Sequence, residues 1–332
     1  MVTVVLVGFS SISATLLVVF GGGVPASLIG LSLTYIIGLS GNLQFMVRQS
    51  ALVENFMTSV ERVLDFGTNV EQEVDVAGGE EGGEEVGEVV VAGASMRYGE
   101  GEQLVLDGMS FASKQGDKIG ICGRTGAGKS SFVNCLLRLN ELESGVIKLG
   151  GCDISKVSLA KLRSWVTLIP QSPVLFDGTV RYNVDPRGEY SREEVAEALR
   201  VVSLGGVLGL GDEVGHDGDN LSVGQQQLLS LARAALRRSK LVVLDEPTAN
   251  VDQGTDEVIR KMMRGGGDGR GGEGVIGDFS KSTVVTIAHR IQSIVDSDVI
   301  VVLGAGKVLE VGEGKELMKD KQSTFYRMAN EQ

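Results

Sequence analysis

Gly123-Arg124-Thr125-Gly126-Ala127-Gly128-Lys129-Ser130-Ser131 follows an apolar run at 118–121. It leads into a helical pattern over 130–139, with Phe132, Val133, Leu136 and Leu137 on one side. Strand, Gly-rich loop and helix in this order is the context that a phosphate-wrapping loop requires. Gly123, Gly126 and Gly128 let the backbone curl so that its N–H groups converge on phosphate oxygens. The start of the helix adds partial positive charge. Lys129 is placed to reach the β- and γ-phosphates of a nucleoside triphosphate, and the Ser130 hydroxyl to bind Mg²⁺.

Two further segments extend this reading. Leu241-Val242-Val243-Leu244 is a continuous apolar run, suited to a parallel strand buried on both faces, and it ends in Asp245-Glu246. Ligands gather at the ends of such strands. Asp245 is expected to hold Mg²⁺ through water, and Glu246 to polarise an attacking water. Leu221-Ser222-Val223-Gly224-Gln225 precedes a helix whose apolar face is Leu228, Leu229, Ala232, Ala235 and Leu236. Ser222 can cap that helix, and Arg233, Arg237 and Arg238 are assigned to its solvated side and C-terminal end. One P-loop already surrounds the phosphates, so a second anion-binding helix start suggests service to another nucleotide. That implies a partner domain.

Composition narrows the class. The 332 residues include 42% hydrophobic side chains, enough to fill a core, and carry a net charge of -12, which excludes generic nucleic-acid binding. Cys122, Cys135 and Cys152 form neither a disulfide framework nor a CxxC metal pattern; all three are expected to be small, buried and apolar.

The N-terminal region reads differently. No charged residue occurs before Arg48, and two apolar stretches, 2–20 and 28–47, flank Gly21-Gly22-Gly23-Val24-Pro25. Each is about 20 residues, the length of a membrane-spanning helix. A basic n-region, as in a signal peptide, is absent. Arg48 suits exit on the cytoplasmic side. Leu52, Phe56, Val60, Val63 and Leu64 continue a helical pattern to 66. Eight acidic and no basic residues follow in 67–88. The expected organisation is a partial transmembrane domain at 1–66, a flexible acidic Gly/Glu linker at 67–87 and a nucleotide-binding domain at 88–332.

These residues resemble the ATP-binding cassette (ABC) ATPases, and Leu-Ser-Val-Gly-Gln at 221–225 resembles the family's signature motif. Gln171 looks like the Q-loop glutamine, Ala249-Asn250-Val251-Asp252 like the D-loop, and His289 like the switch histidine. Tyr98 stands where the family has an aromatic that stacks on adenine. The resemblance implies an α/β P-loop NTPase with a RecA-like core, an antiparallel β subdomain and a helical subdomain, preceded here by two transmembrane helices. It implies ATP held by Tyr98, the loop residues Gly123, Arg124, Thr125, Gly126, Ala127, Gly128, Lys129, Ser130 and Ser131, and Gln171 and Asp245. Ser222, Val223, Gly224 and Gln225 would face a partner's nucleotide. Ser130, Gln171 and Asp245 form the implied Mg²⁺ set, and Lys129, Glu246 and His289 the catalytic set.

The loop at 120–131, Pro173-Val-Leu-Phe-Asp-Gly-Thr179 with Asn183-Val-Asp-Pro186, and 248–252 look like the second nucleotide-binding domain of the multidrug-resistance-associated (C) subfamily. The resemblance covers 28–332 well and 1–20 only in hydrophobicity. It implies ATP hydrolysis coupled to export of organic anions, conjugates or drugs, together with a second cassette, further spans and membrane lipid. A plasma-membrane and a vacuolar location both fit, with the cassette in the cytoplasm. Alternative readings are a regulatory or channel-type subunit and a non-functional fragment.

There are departures from the pattern. The family has six spans where two are expected here, as in a C-terminal piece of a longer transporter or an incomplete gene model. Val223 replaces the common Gly, as is usual in this subfamily's second domain, and Pro247 stands where Ala is more frequent. The stretch 201–219 is shorter than its counterpart, and 265–274 looks like an inserted Gly-rich loop. His216 lies in a polar loop and is expected to be solvated.

Overall fold

The computed structural model describes residues 2–20, 25–70, 72–76, 87–99, 101–246, 253–263, 279, 281–288 and 290–331. The chain forms two compact units, Met1–Glu73 and Val74–Gln332.

The first unit consists of helices α1 (Val2–Phe20) and α2 (Ala26–Thr68). Pro25 stands at the N-cap of α2 in extended conformation, which suits a residue that fixes φ and has no N–H to satisfy. α2 absorbs both the expected second span and the exit helix without a break. The helices hide their own hydroxyls. Ser10 and Ser11 donate to Val7 O, Thr15 to Ser11 O, Ser32 to Leu28 O and Thr34 to Gly30 O, each within 2.7–2.9 Å. Such back-bonding leaves a polar side chain tolerable in hydrocarbon. Among the described residues, one helix, Ser27–Thr68, is long and apolar enough to cross a membrane. Phe56, Val63 and Leu64 on α2 are exposed.

The second unit contains twelve strands among its described residues. They are β1 (Val89–Met96), β2 (Leu106–Ser113), β3 (Lys118–Gly123), β4 (Ser144–Leu149), β5 (Cys152–Asp153), β6 (Val166–Ile169), β7 (Gly178–Thr179), β8 (Glu213–Val214), β9 (Leu241–Asp245), β10 (Thr283–Ile287), β11 (Val299–Gly304) and β12 (Lys307–Gly312). The helices that position the site are α3 (Lys129–Leu136), α4 (Leu159–Trp165), α5 (Val180–Val184), α6 (Arg192–Val201) and α7 (Val223–Arg237). A six-stranded sheet runs in the order β12-β11-β3-β10-β9-β6 and is parallel except for β12. A four-stranded antiparallel sheet, β2-β1-β4-β5, lies alongside. β7 and β8 form a small antiparallel pair next to α5.

Alternation explains why the apolar runs are continuous. Leu241 and Val243 of β9 enter the core shared with the antiparallel sheet, while Val242 and Leu244 enter the core shared with α6 and α7. β11 does the same: Val301 and Leu303 point one way, Ile300 and Val302 the other. A strand with both faces buried has no polar position to offer.

Four expectations need correction. Sequence pattern alone reads 103–106 as a strand, but in the structure the strand begins only at Leu106 and runs on to Ser113. Gly108, at φ 68, breaks the two-residue period there, and the β1–β2 register shifts between Ala94 and Met96. The helix expected to reach 139 ends at Leu136, because Arg138 adopts left-handed backbone (φ 49). Cys122 and Cys135 are buried, but Cys152 is only half-buried. The expected linker is not uniformly free: Val74 and Asp75 already belong to the second unit and are hydrogen-bonded within it. Residues 77–86, 247–252 and 265–274 lie outside the described residues, so the D-loop, Pro247 and the inserted Gly-rich loop do too.

Candidate nucleotide-binding site

Parallel register brings the site together at one end of the six-stranded sheet. Ile121 of β3 and Asp245 of β9 both pair with Ile287 of β10, so the loop after β3 and the carboxylates after β9 emerge level with one another. Gly128 then turns the chain into α3 with φ 100, and a side chain there would collide with Val105 O and Leu106. Gly126, at φ 79, has open space where a Cβ would stand. Only glycine accepts both positions without strain.

Lys129 opens α3 and is 6% exposed. Its Nζ donates to Gly123 O at 2.8 Å and to Arg124 O at 3.3 Å, so the loop is closed back on its own lysine. Burial pulls the ammonium below its ordinary pKa, while the charges of Glu246, Cys122 and Asp245 oppose that shift. Ser130 is exposed beside it, and Ser131 is buried. Arg124, Thr125 and Gly126 are exposed at the crest of the loop, and Ala127 is buried beneath it.

Gln171 stands two residues beyond β6, and Glu246 two residues beyond Leu244, which pairs with Ile169. Gln171 Nε2 donates to Glu246 Oε2 at 2.9 Å. Glu246 has left-handed backbone (φ 49), and its N–H donates to Ile287 O at 3.1 Å. A non-glycine residue in that region is a local strain of the kind that gathers at working sites. Asp245 and Glu246 are both half-buried. His289 lies outside the described residues.

Tyr98 reaches the same region from the antiparallel sheet. Its ring is about half exposed, but its hydroxyl is 2.9 Å from Ser131 Oγ. The neighbouring Arg97 forms a two-point ion pair with Glu143, at 2.6 and 3.0 Å, which secures the end of β1.

Ser222 to Gln225 stand apart from this group. Ser222 Oγ accepts from Gln225 N at 3.2 Å, and Gln225 Oε1 accepts from Ser222 N at 2.9 Å, a reciprocal capping box. Val223 is half exposed at the start of α7, and Gly224 is partly exposed. Among the described residues, no hydrogen bond joins Ser222 or Gln225 to the P-loop.

Arg233 departs from its expected solvated place. It is turned inward, with Nε donating to Asn183 O at 2.9 Å and both terminal nitrogens to Val174 O at 3.2 Å. The guanidinium lies 6.0 Å from the centre of the Phe176 ring, and burial lowers its pKa. The signal was present in the sequence. Arg233 follows Leu229 by four and precedes Leu236 by three, which puts it beside the buried stripe. It ties α7 to the loop that begins at Gln171. Gln227, 2% exposed, adds a long contact to Pro170 O at 3.5 Å. His216, by contrast, is exposed as expected.

The family model for "ABC transporter" matches residues 106–249. Over 96% of its length the chain is 41% identical to ATP-binding cassette sub-family C member 2 of Rattus norvegicus, covering 20% of that protein. It is 39% identical over 99% of its length to ATP-binding cassette sub-family C member 4 of Homo sapiens, covering 24% of it. The chain thus spans between a fifth and a quarter of the length of these curated relatives. A solved structure, that of a bacterial Atm1-family ABC exporter with ATP bound, superposes on 99% of the chain with a TM-score of 0.84 at 25% identity; the match covers 57% of that exporter chain. The second unit carries the ABC transporter domain over 106–249, and nearly the whole chain is homologous to a part of C-subfamily ABC transporters.

Proposed function

We propose that this chain binds and hydrolyses ATP with Mg²⁺ and couples hydrolysis to export of organic anions, conjugates or drugs. It would act as one cassette of a transporter whose second cassette and further spans lie elsewhere. The observation that carries this reading is the convergence of Lys129, Gln171, Asp245 and Glu246 at one end of the parallel sheet. In this reading 1–66 belongs to the membrane domain, 67–87 joins it to the cassette, and 88–332 is the cassette. The membrane is the plasma membrane or the vacuolar membrane.

The donor set fits a triphosphate and its metal. The loop offers backbone N–H groups, one ammonium and the exposed Ser130 hydroxyl; the strand end offers two carboxylates. Ser130, Gln171 and Asp245 would hold Mg²⁺, whose charge offsets that of the phosphates. Lys129 neutralises charge that develops on the transferred phosphoryl group. Glu246, fixed by Gln171, orients the attacking water, and His289 contacts the γ-phosphate. Tyr98 presents its ring to adenine. Ser222, Val223, Gly224 and Gln225 address the nucleotide of the partner cassette.

Glu246→Gln separates binding from chemistry. It keeps a side chain of the same shape beside Gln171 but removes the carboxylate. The expected result is unchanged ATP affinity with hydrolysis reduced at least about a hundredfold. Near-normal turnover by this variant would remove Glu246 from the mechanism.

A further inference from the structure

The start of α4 is capped from 84 residues upstream. Ser158, its N-cap residue, makes no side-chain cap bond. Instead the N–H of Leu159 donates to Asp75 Oδ1 at 2.9 Å. The same oxygen accepts from Val76 N at 2.8 Å, which holds the carboxylate in place. A carboxylate at a helix start satisfies an otherwise unpaired donor and meets the positive end of the helix dipole.

The adjoining residue is held as well. Val74 O accepts from Arg138 Nη2 at 3.0 Å. Arg138 is 5% exposed and also donates to Ile154 O at 3.2 Å and Val157 O at 2.9 Å, while Glu141 takes two further donations from it. From the other side, Arg163 of α4 donates to Leu137 O and Arg138 O, both at 3.2 Å. Residues 74–75, the turn after α3, and α4 (through Leu159 and Arg163) are therefore joined by directional bonds.

α4 has no loop after it. Trp165 is followed directly by β6, which among the described residues is an edge strand with β9 as its one sheet neighbour. β6 ends two residues before Gln171, the donor to Glu246. An edge strand with one neighbour takes much of its placement from the element that feeds it.

We propose that Val74–Asp75 is a strap and that Asp75 is a positioning residue for Gln171, acting through α4 and β6. The catalytic part of this inference rests on the ATPase reading above; the strap itself does not. Asp75→Ala should loosen α4 and β6 while leaving the P-loop intact.

Hydrogen exchange of the full chain without nucleotide, read by mass spectrometry, tests the strap. Amides in 159–171 should exchange about fivefold faster in Asp75→Ala, as expected for loss of an N-cap, while 124–136 stays unchanged. Asp75→Asn keeps the acceptor and should restore the wild-type rate. In turnover, Asp75→Ala should lower kcat severalfold with KM for ATP unchanged. Unchanged exchange over 159–171, a uniform rise across the second unit, or failure of Asn to rescue would overturn the strap. A local rise with kcat unaltered would overturn the positioning role. A chain that shows the local rise but turns over no ATP in wild-type form, even beside a second cassette, keeps the strap and loses the ATPase reading.

Discussion

α3 and α7 both begin with a segment suited to phosphate, yet their starts are built differently. At α3 the N-cap is Gly128, which has no side chain to spend on the helix N–H groups. At α7 the N-cap is Ser222, and its hydroxyl already takes the N–H of Gln225, while the Gln225 side chain takes the N–H of Ser222. Every helix starts with unpaired donors. α3 leaves them to a ligand and adds the Lys129 ammonium beneath; α7 satisfies part of its set internally and carries no cation in its first turn. The comparison supports the proposed division of labour, in which α3 takes one strongly charged ligand and α7, its cap already closed, meets a ligand held elsewhere.

Substitutions can break this contrast. The largest expected effect is at Lys129. Lys129→Ala removes the buried cation proposed to meet phosphate and should weaken ATP binding by about a hundredfold, equivalent to about 2–3 kcal/mol of charge-assisted hydrogen bonding; titration with a fluorescent ATP analogue reads it. Ser222→Ala is smaller and of another kind. Loss of the cap should cost about 1 kcal/mol of stability, measured by urea unfolding.

The smallest effect sharpens the picture of the P-loop's supports. Cys122 on β3 and Cys135 on α3 have thiols pushed up to about 12 by burial. Neither should react with iodoacetamide at pH 8 in the folded chain, whereas half-buried Cys152 should react. Because these two folded-state pKa values are raised, the thiols' contribution to stability is complete below about pH 9, the unfolded value, and falls as pH rises towards 12. Chemical unfolding at pH 8 and pH 10.5 checks that sign.

Legibility in the sequence followed the range of the interactions. The P-loop, the run at 241–244 and the cap at Ser222 are local patterns, and a single stretch of chain carries each. β2 is hard to place from pattern because Gly108 interrupts its alternation. Arg233 was assigned to solvent because charge outweighed spacing; its carbonyl partners, Val174 and Asn183, are 59 and 50 residues away. The strap could not be read at all. Asp75 looks like one more acid in an acidic linker until folding brings Leu159 to it.

The central claim is that α3 and α7 serve different nucleotides. Calorimetric titration of the purified Ser222→Ala chain with Mg–ATP, beside wild type and Lys129→Ala, tests it most directly. The account predicts one ATP per chain with wild-type affinity for Ser222→Ala, and lost binding for Lys129→Ala. A loss of affinity in Ser222→Ala equal to that in Lys129→Ala would contradict it, because both helix starts would then address the same nucleotide.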